Sequence, residues 1–132
     1  MITVLVCGGR NFSDETLVRE ALDKVQRDNA NLRIIHGGCG ASADAPSAGW
    51  RAYYKGADGL AHAWAEKNGH EAKGYPARWN SEGRAAGPKR NARMLEIDHP
   101  QLVVAFPGGD GTADMIAKAR RASVPVIVVD AR

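Results

Sequence analysis

Little in this chain is extreme, and what is missing narrows its class. No apolar stretch approaches the roughly 20 residues that a membrane-spanning helix needs. The 132 residues include only two cysteines, Cys7 and Cys39. That is too few for a disulfide scaffold, so a reducing cytoplasm is expected, with no leader and no membrane segment. Neither sign of charge dominates: 18 Lys and Arg against 15 Asp and Glu give a net charge of +3. A binder of free phosphates would carry that balance as readily as a nucleic-acid binder. The basic residues form no single run, since Arg78, Arg84, Lys89, Arg90 and Arg93 cluster apart from Arg120 and Arg121. Internal repeats and low-complexity tails are absent. So are the phosphate-binding signatures G-x-G-x-x-G and G-x-x-x-x-G-K-[ST]. With 44% hydrophobic and 25% charged residues, one domain over residues 1–132 is expected.

What is present is an alternation of periods. Residues 2–7 (ITVLVC) and 32–36 (LRIIH) are short apolar runs of the kind that form strands buried on both faces. Residues 101–106 and 124–129 repeat the pattern, and 70–75 (HEAKGY) are a weaker third strand. Between them lie helical patterns. Ser13 is the expected N-cap of the first, with Phe12 and Leu17 as a hydrophobic staple. Asp58 is the expected cap of the second, which ends at Asn68-Gly69. Pro88 suits the first turn of the third, which turns Met94, Leu95 and Ile97 inward. The fourth runs to about Ala122. Two long stretches show no period, Cys39–Lys55 and Pro76–Gly87. The order predicts an α/β fold: a Rossmann-like, doubly wound, parallel five-stranded sheet of order 3-2-1-4-5 with helices on both faces.

In such sheets ligands bind at the carboxyl ends of the strands, beside the switch point between the first and fourth strands. Three glycine turns fall on that rim: Gly8-Gly9-Arg10, Gly37-Gly38 and Pro107-Gly108-Gly109-Asp110-Gly111-Thr112. The last feeds a helix N-terminus, where backbone N–H groups and the helix dipole favour an anion. Thr112 either adds a hydroxyl to those donors or simply starts the helix. Arg10 is a phosphate clamp or a solvated arginine. Arg90 and Asn91 open a helix and could reach a ribose or phosphate. Asp58 is a helix cap that could also hold a ribose hydroxyl. Asp110, Asp114 and Glu82 are the candidate catalytic carboxylates should the protein cleave an N-glycosidic bond. Asp114 also fits the acidic preference of a first helical turn. His36 either faces the pocket or is a polar strand end. With Cys39 it makes H-x-x-C, but no second pair follows, so no metal and no cofactor are expected. Trp50, Tyr53, Tyr54 and Trp79 either stack on a base or bury themselves against the body or a second subunit. Trp64 reads as core.

Taken together, CGGRNF at 7–12, HGG at 36–38, KGADGLAHAWA at 55–65, YPARW at 75–79, AGPKRNARML at 86–95 and AFPGGDGT at 105–112 resemble the YspA-like branch of the SLOG superfamily. That superfamily includes the Lonely Guy phosphoribohydrolases and the DNA-processing protein DprA. The resemblance implies the doubly wound fold, a nucleotide or nucleotide-derived ligand such as an NAD- or ADP-ribose-like signal or a nucleoside monophosphate, and a homo-oligomer. It places Gly8, Gly9, Arg10, Gly37, Gly38, Asp58, Arg90, Asn91, Pro107, Gly108, Gly109, Gly111 and Thr112 at the ligand. The R-K-x-x-M segment of the Lonely Guy enzymes is represented by Arg90, Asn91 and Met94. Their P-G-G-x-G-T-x-x-E turn is present up to Thr112, but Met115 stands at the position of the catalytic glutamate. The YspA-like pattern runs from H-G-G almost directly into G-A-D, so residues 39–55 read as an insertion, a lid over the pocket. The expected role is a sensor or sequestering protein. The alternatives are a phosphoribohydrolase and, by analogy with DprA alone, a binder of single-stranded DNA, which the mixed charges disfavour.

Overall fold

The apolar runs pair into one sheet. The computed structural model describes residues 1–44 and 54–131. Its elements are β1 (Ile2–Cys7), α1 (Glu15–Asp28), β2 (Leu32–His36), α2 (Gly56–Lys67), β3 (Glu71–Gly74), the one-turn α3 (Trp79–Glu82) with a 3₁₀ turn after it (Gly83–Ala85), α4 (Ala86–Asp98), β4 (Leu102–Ala105), α5 (Asp110–Arg121) and β5 (Val126–Val128). Neighbouring strands pair in parallel in the order β3-β2-β1-β4-β5. This is the doubly wound α/β topology that the periods predict.

Successive side chains on a strand point to opposite faces. Val4 and Val6 of β1 therefore join Leu22, Ile34, Trp64 and Phe106 in a core under α1 and α2. Leu5 joins Ile35, Met94, Val103 and Met115 in a second core under α4 and α5. Both faces of β1, β2 and β4 are covered, which is why those strands read as unbroken apolar runs. β3 pairs with β2 alone, and its residues are half-buried at best, so its sequence signal is weak. Among the described residues no helix is long and apolar enough to cross a membrane.

Several local expectations are corrected. The cap of α1 is Asp14, not Ser13: its carboxylate accepts from Leu17 N–H at 3.0 Å, and a full negative charge also suits the helix dipole. Helix α2 begins at Gly56, so Asp58 lies inside its first turn and does not cap it. Helix α4 begins at Ala86, inside the stretch 76–87 read as irregular, and Pro88 lies in its first turn as expected. Pro88 still falls where a missing N–H costs nothing. Ile97 is 57% exposed, because the buried stripe of α4 runs through Gly87, Asn91 and Met94 and a period of 3.6 carries it on to Asp98. Short helical turns occupy part of the stretch Pro76–Gly87, which has no period of its own.

Candidate functional site

The first and fourth strands bring their glycine turns into backbone contact. Phe106 N–H donates to the Cys7 carbonyl at 2.9 Å, and Gly9 N–H donates to the Pro107 carbonyl at 2.8 Å. A Cβ on Gly108 would stand 2.7 Å from Gly9 N and 3.0 Å from Gly8 C, so the turns close only without side chains. Gly9 N–H is consumed in this contact. What remains directed outward is the start of α5, whose N-cap Gly109 offers no side chain to the first-turn amides. Gly109, Gly111 and Thr112 line a cavity of about 700 Å³ at the carboxyl ends of β1 and β4, within the size range of small-molecule sites.

The floor of the cavity is charged. Asp58 is buried and accepts from Cys39 N–H at 3.1 Å. Arg90 spans the floor, with Nη1 donating to the Gly37 carbonyl at 2.5 Å and Nε to Asn91 Oδ1 at 2.9 Å. Asn91 Nδ2 donates onward to the Gly111 carbonyl at 3.2 Å and to Asp114 Oδ2 at 3.0 Å. A continuous polar chain thus ties the turn after β2 to the first turn of α5. Burial pushes the Asp58 carboxyl up to about 6, a shift opposed by the Cys39 amide, the Arg90 charge and the Gly37 amide. Burial also lowers Arg90, against the pull of Asp58. Cys7 is raised to about 12 by burial and then by Asp58, and Cys39 is raised for the same reasons. Both stay thiols at neutral pH.

The mouth is held by a cap that crosses between the two irregular stretches. The Asp44 carboxylate accepts from Ser42 Oγ at 2.6 Å, from Ser81 Oγ at 2.6 Å and from Ser81 N–H at 2.7 Å. It also accepts from Asn80 N–H at 3.2 Å. These donors hold its carboxyl far below the usual range. Ser42 Oγ accepts from Trp79 N–H at 3.2 Å. Trp79 is 46% exposed and lines the cavity.

Most expected site residues meet here. Gly8, Gly9, Arg10 and Gly37 line the cavity, with Asp58, Arg90 and Asn91 at its floor and Gly109, Gly111 and Thr112 at the α5 end. Gly38, Pro107 and Gly108 shape the turns behind it. The three candidate catalytic carboxylates are elsewhere. Asp110 is exposed at the first position of α5. Asp114 is bonded to Asn91 and to Lys118 Nζ at 2.5 Å. Glu82 is paired with Lys89 at 3.6 Å and Arg93 at 3.4 Å. The carboxylate that lines the cavity is Asp58. Met115 is fully buried in the core beneath α5. Among the aromatics, Tyr54 packs edge-on against His36 with ring centroids 4.7 Å apart, Trp64 is core, and Trp50 and Tyr53 lie outside the described residues. The lid reading of 39–55 falls partly outside them as well. Ser42 and Asp44 are site residues with no signature in the sequence, because the partners that fix them, from Ala77 to Ser81, lie more than thirty positions away.

Two buried groups make stability depend on pH in opposite senses. His36 is lowered to about 3 by burial, then by His62 and Arg90. Its stabilisation is present above the unfolded value of about 6.5 and is lost as pH falls towards 3. Asp58 is raised in the folded state, so the native protein binds the extra proton and Asp58 favours folding more as pH falls from about 6 to the unfolded value of about 3.9. Between about pH 6 and 4 the two slopes oppose one another. In urea titrations the Asp58→Asn variant is expected to lose stability relative to the parent on going from pH 7 to 4, by about 2 kcal/mol. Parallel curves for the two proteins would show that Asp58 is not raised.

Fold and cavity together define a class: a Rossmann-like α/β domain with a cavity on the carboxyl rim at the topological switch point. Residues 2–53 match the family model of the YspA, cpYpsA-related SLOG family. A universal stress protein from Archaeoglobus fulgidus is similar in structure, with a TM-score of 0.59 and 18% identity over 98% of this chain and 93% of that one. At that identity the likeness concerns the fold alone. No curated protein matches the chain.

Proposed function

We propose that the cavity binds a nucleotide or nucleotide-derived ligand and that the protein acts as its sensor or sequestering protein. The observation that carries this reading is the meeting, in one cavity, of an uncapped helix N-terminus, the buried Asp58 carboxylate and the half-buried Arg90 guanidinium. The first-turn amides of α5, with the Thr112 hydroxyl and Arg10, receive a phosphate. Asp58 accepts from ribose hydroxyls, and Arg90 and Asn91 hold it in place. Trp79 offers an exposed ring for a base. The family match over residues 2–53 supports a nucleotide-related ligand.

Native mass spectrometry of freshly purified protein identifies a co-purified nucleotide and gives the mass of the assembly. Calorimetry with AMP and ADP-ribose then tests the site. Arg10 is exposed, and a side chain on Gly109 meets nothing within 4 Å, so neither Arg10→Ala nor Gly109→Asp should disturb the fold. Aspartate at that N-cap places a negative charge where the phosphate sits. Each variant is expected to bind roughly tenfold more weakly or worse, the loss of about 1.4 kcal/mol. Unchanged affinity in both would overturn the placement. A second reading, cleavage of the N-glycosidic bond, is favoured only by the raised carboxyl of Asp58 on the floor. Free base released from AMP by the parent but not by Asp58→Asn would establish it.

A further inference from the structure

β2 ends in a buried side chain that ligand binding does not use. His36 has no exposed surface, and both ring nitrogens are engaged. Its Nδ1 accepts from Gly38 N–H at 2.9 Å, and its Nε2 lies 2.8 Å from His62 Nδ1. His62 Nε2 lies 3.2 Å from Glu66 Oε1. The direction of the protons follows from the first bond. An amide can only donate, so His36 Nδ1 is bare and its proton is on Nε2. That proton is donated to His62 Nδ1, so the His62 proton is on Nε2 and is donated to the Glu66 carboxylate. The chain runs from an exposed carboxylate on α2 to the backbone of the Gly37-Gly38 turn.

That turn holds both members of the charged pair at the cavity floor. Gly38 has φ +61°, the Gly37 carbonyl accepts from Arg90, and Cys39 N–H donates to Asp58. We propose that His36 and His62 are positioning residues for the ligand site, and that a proton taken up at His62 loosens it. The chain of hydrogen bonds stands by itself, while its consequence for binding rests on the nucleotide reading above. A proton on His62 Nδ1 faces the His36 Nε2–H, donor against donor. His36 can accept it only by carrying its own proton on Nδ1, which then faces the Gly38 N–H. Either arrangement costs one buried hydrogen bond.

The groups around the pair favour that response. From α2, Glu66 contacts His62, and Asp58 lies one turn earlier. Burial, then the neighbouring His62 and the Arg90 charge from α4, oppose protonation of His36. Tyr54, just before α2, packs against both rings, with centroids 4.7 Å from His36 and 5.2 Å from His62. The strand neighbours are Val6 of β1 and Gly74 of β3, which do not titrate.

Long-range ¹H–¹⁵N spectra of the ligand-free protein test the chain directly. At about pH 8 both His36 and His62 are expected as Nε2–H tautomers. On acidification the Gly38 amide and Arg90 Nε signals should move with the midpoint of the His62 ring. Glu66→Gln should lower that midpoint. His62→Asn keeps an acceptor near the Nδ1 position but takes up no proton, and should hold the Gly38 signal still. AMP binding is then measured for the parent and His62→Asn at about pH 8 and 5.5. The titrations of AMP and Asp58 are common to both proteins, so the difference isolates the relay. The parent is expected to lose roughly fivefold more affinity than the variant, the size of one lost hydrogen bond. A Gly38 amide that ignores His62, or a His36 Nδ1–H tautomer, overturns the proposal with no ligand involved. Equal pH dependence of AMP binding in both proteins also overturns it. Absence of AMP binding at every pH, in protein whose Gly38 follows His62, overturns the nucleotide reading instead, and with it the positioning role.

Discussion

Replacing Arg90 with methionine is expected to cost about 3 kcal/mol of stability, the loss of hydrogen bonds from a charged donor to carbonyl groups that keep no substitute for it. Methionine fills much of the arginine's volume, so the loss is electrostatic more than steric. Three hydrogen bonds disappear with the guanidinium, to the Gly37 and Tyr75 carbonyls and to Asn91. Asp58 is left on the cavity floor with backbone amides as its remaining partners, and its carboxyl should rise further above about 6. Urea unfolding near neutral pH measures the cost. The double variant Asp58→Asn, Arg90→Met removes the stranded charge as well, and should recover a large part of the loss. If the double variant is as unstable as the sum of the two singles, the pair is not coupled. Calorimetry with AMP on the single variant, at a temperature where it is folded, should show binding abolished.

Gly56→Ala should cost about 3 kcal/mol, for two separable reasons. Gly56 has φ +62°, which costs a residue with a Cβ about 1 kcal/mol. In addition, that Cβ would stand 2.7 Å from the Arg10 carbonyl oxygen and overlap the carbonyl oxygen of Gly9. Both are backbone atoms that cannot rotate away, so α2 must withdraw from the turn after β1, at an overpacking cost of about 1–3 kcal/mol. Ala57 N–H, which donates to the Gly9 carbonyl at 3.3 Å, would lose its partner. Gly69→Ala separates the terms. Gly69 also has a positive φ, +74°, but a Cβ there meets nothing within 4 Å, so only about 1 kcal/mol should be lost. Equal costs at the two positions, read by chemical denaturation, would mean that the contact between α2 and the Gly9 turn is soft.

Most of the fold could be read from periods. β1, β2 and β4 are covered on both faces, and hydrophobic burial demands apolar residues at every position of such strands. Their connections then leave few topologies. The glycine turns of the rim were legible for a related reason: two backbones that touch leave no room for Cβ, and only glycine satisfies that. Gly8, Gly9 and Gly108 therefore mark the switch point in one dimension. Helix starts were less legible, because Ser13 and Asp14 are both good caps and only the geometry of the turn selects Asp14. Asp58 looked like a cap for the same reason. Its carboxylate instead serves the turn after β2, nineteen positions earlier in the chain.

The chemistry of the site depends on pairings between residues far apart in sequence. Asp44 with Ser81, Arg90 with the Gly37 carbonyl, and His36 with His62 each join segments that share no local pattern. A hydrogen bond or a desolvated charge is a property of two groups and their surroundings, so neither residue alone carries its signature. The turn from Pro107 to Thr112 shows the division. Its glycines and the helix after it announce an anion site by local physics, that of free amides and an aligned dipole. That Gly9 spends its amide on Pro107, that Asp58 rather than Asp110 or Asp114 lines the cavity, and that Met115 is sealed in the core were decided by tertiary packing. Burial is settled only when strands, helices and turns from the whole chain close around the same space.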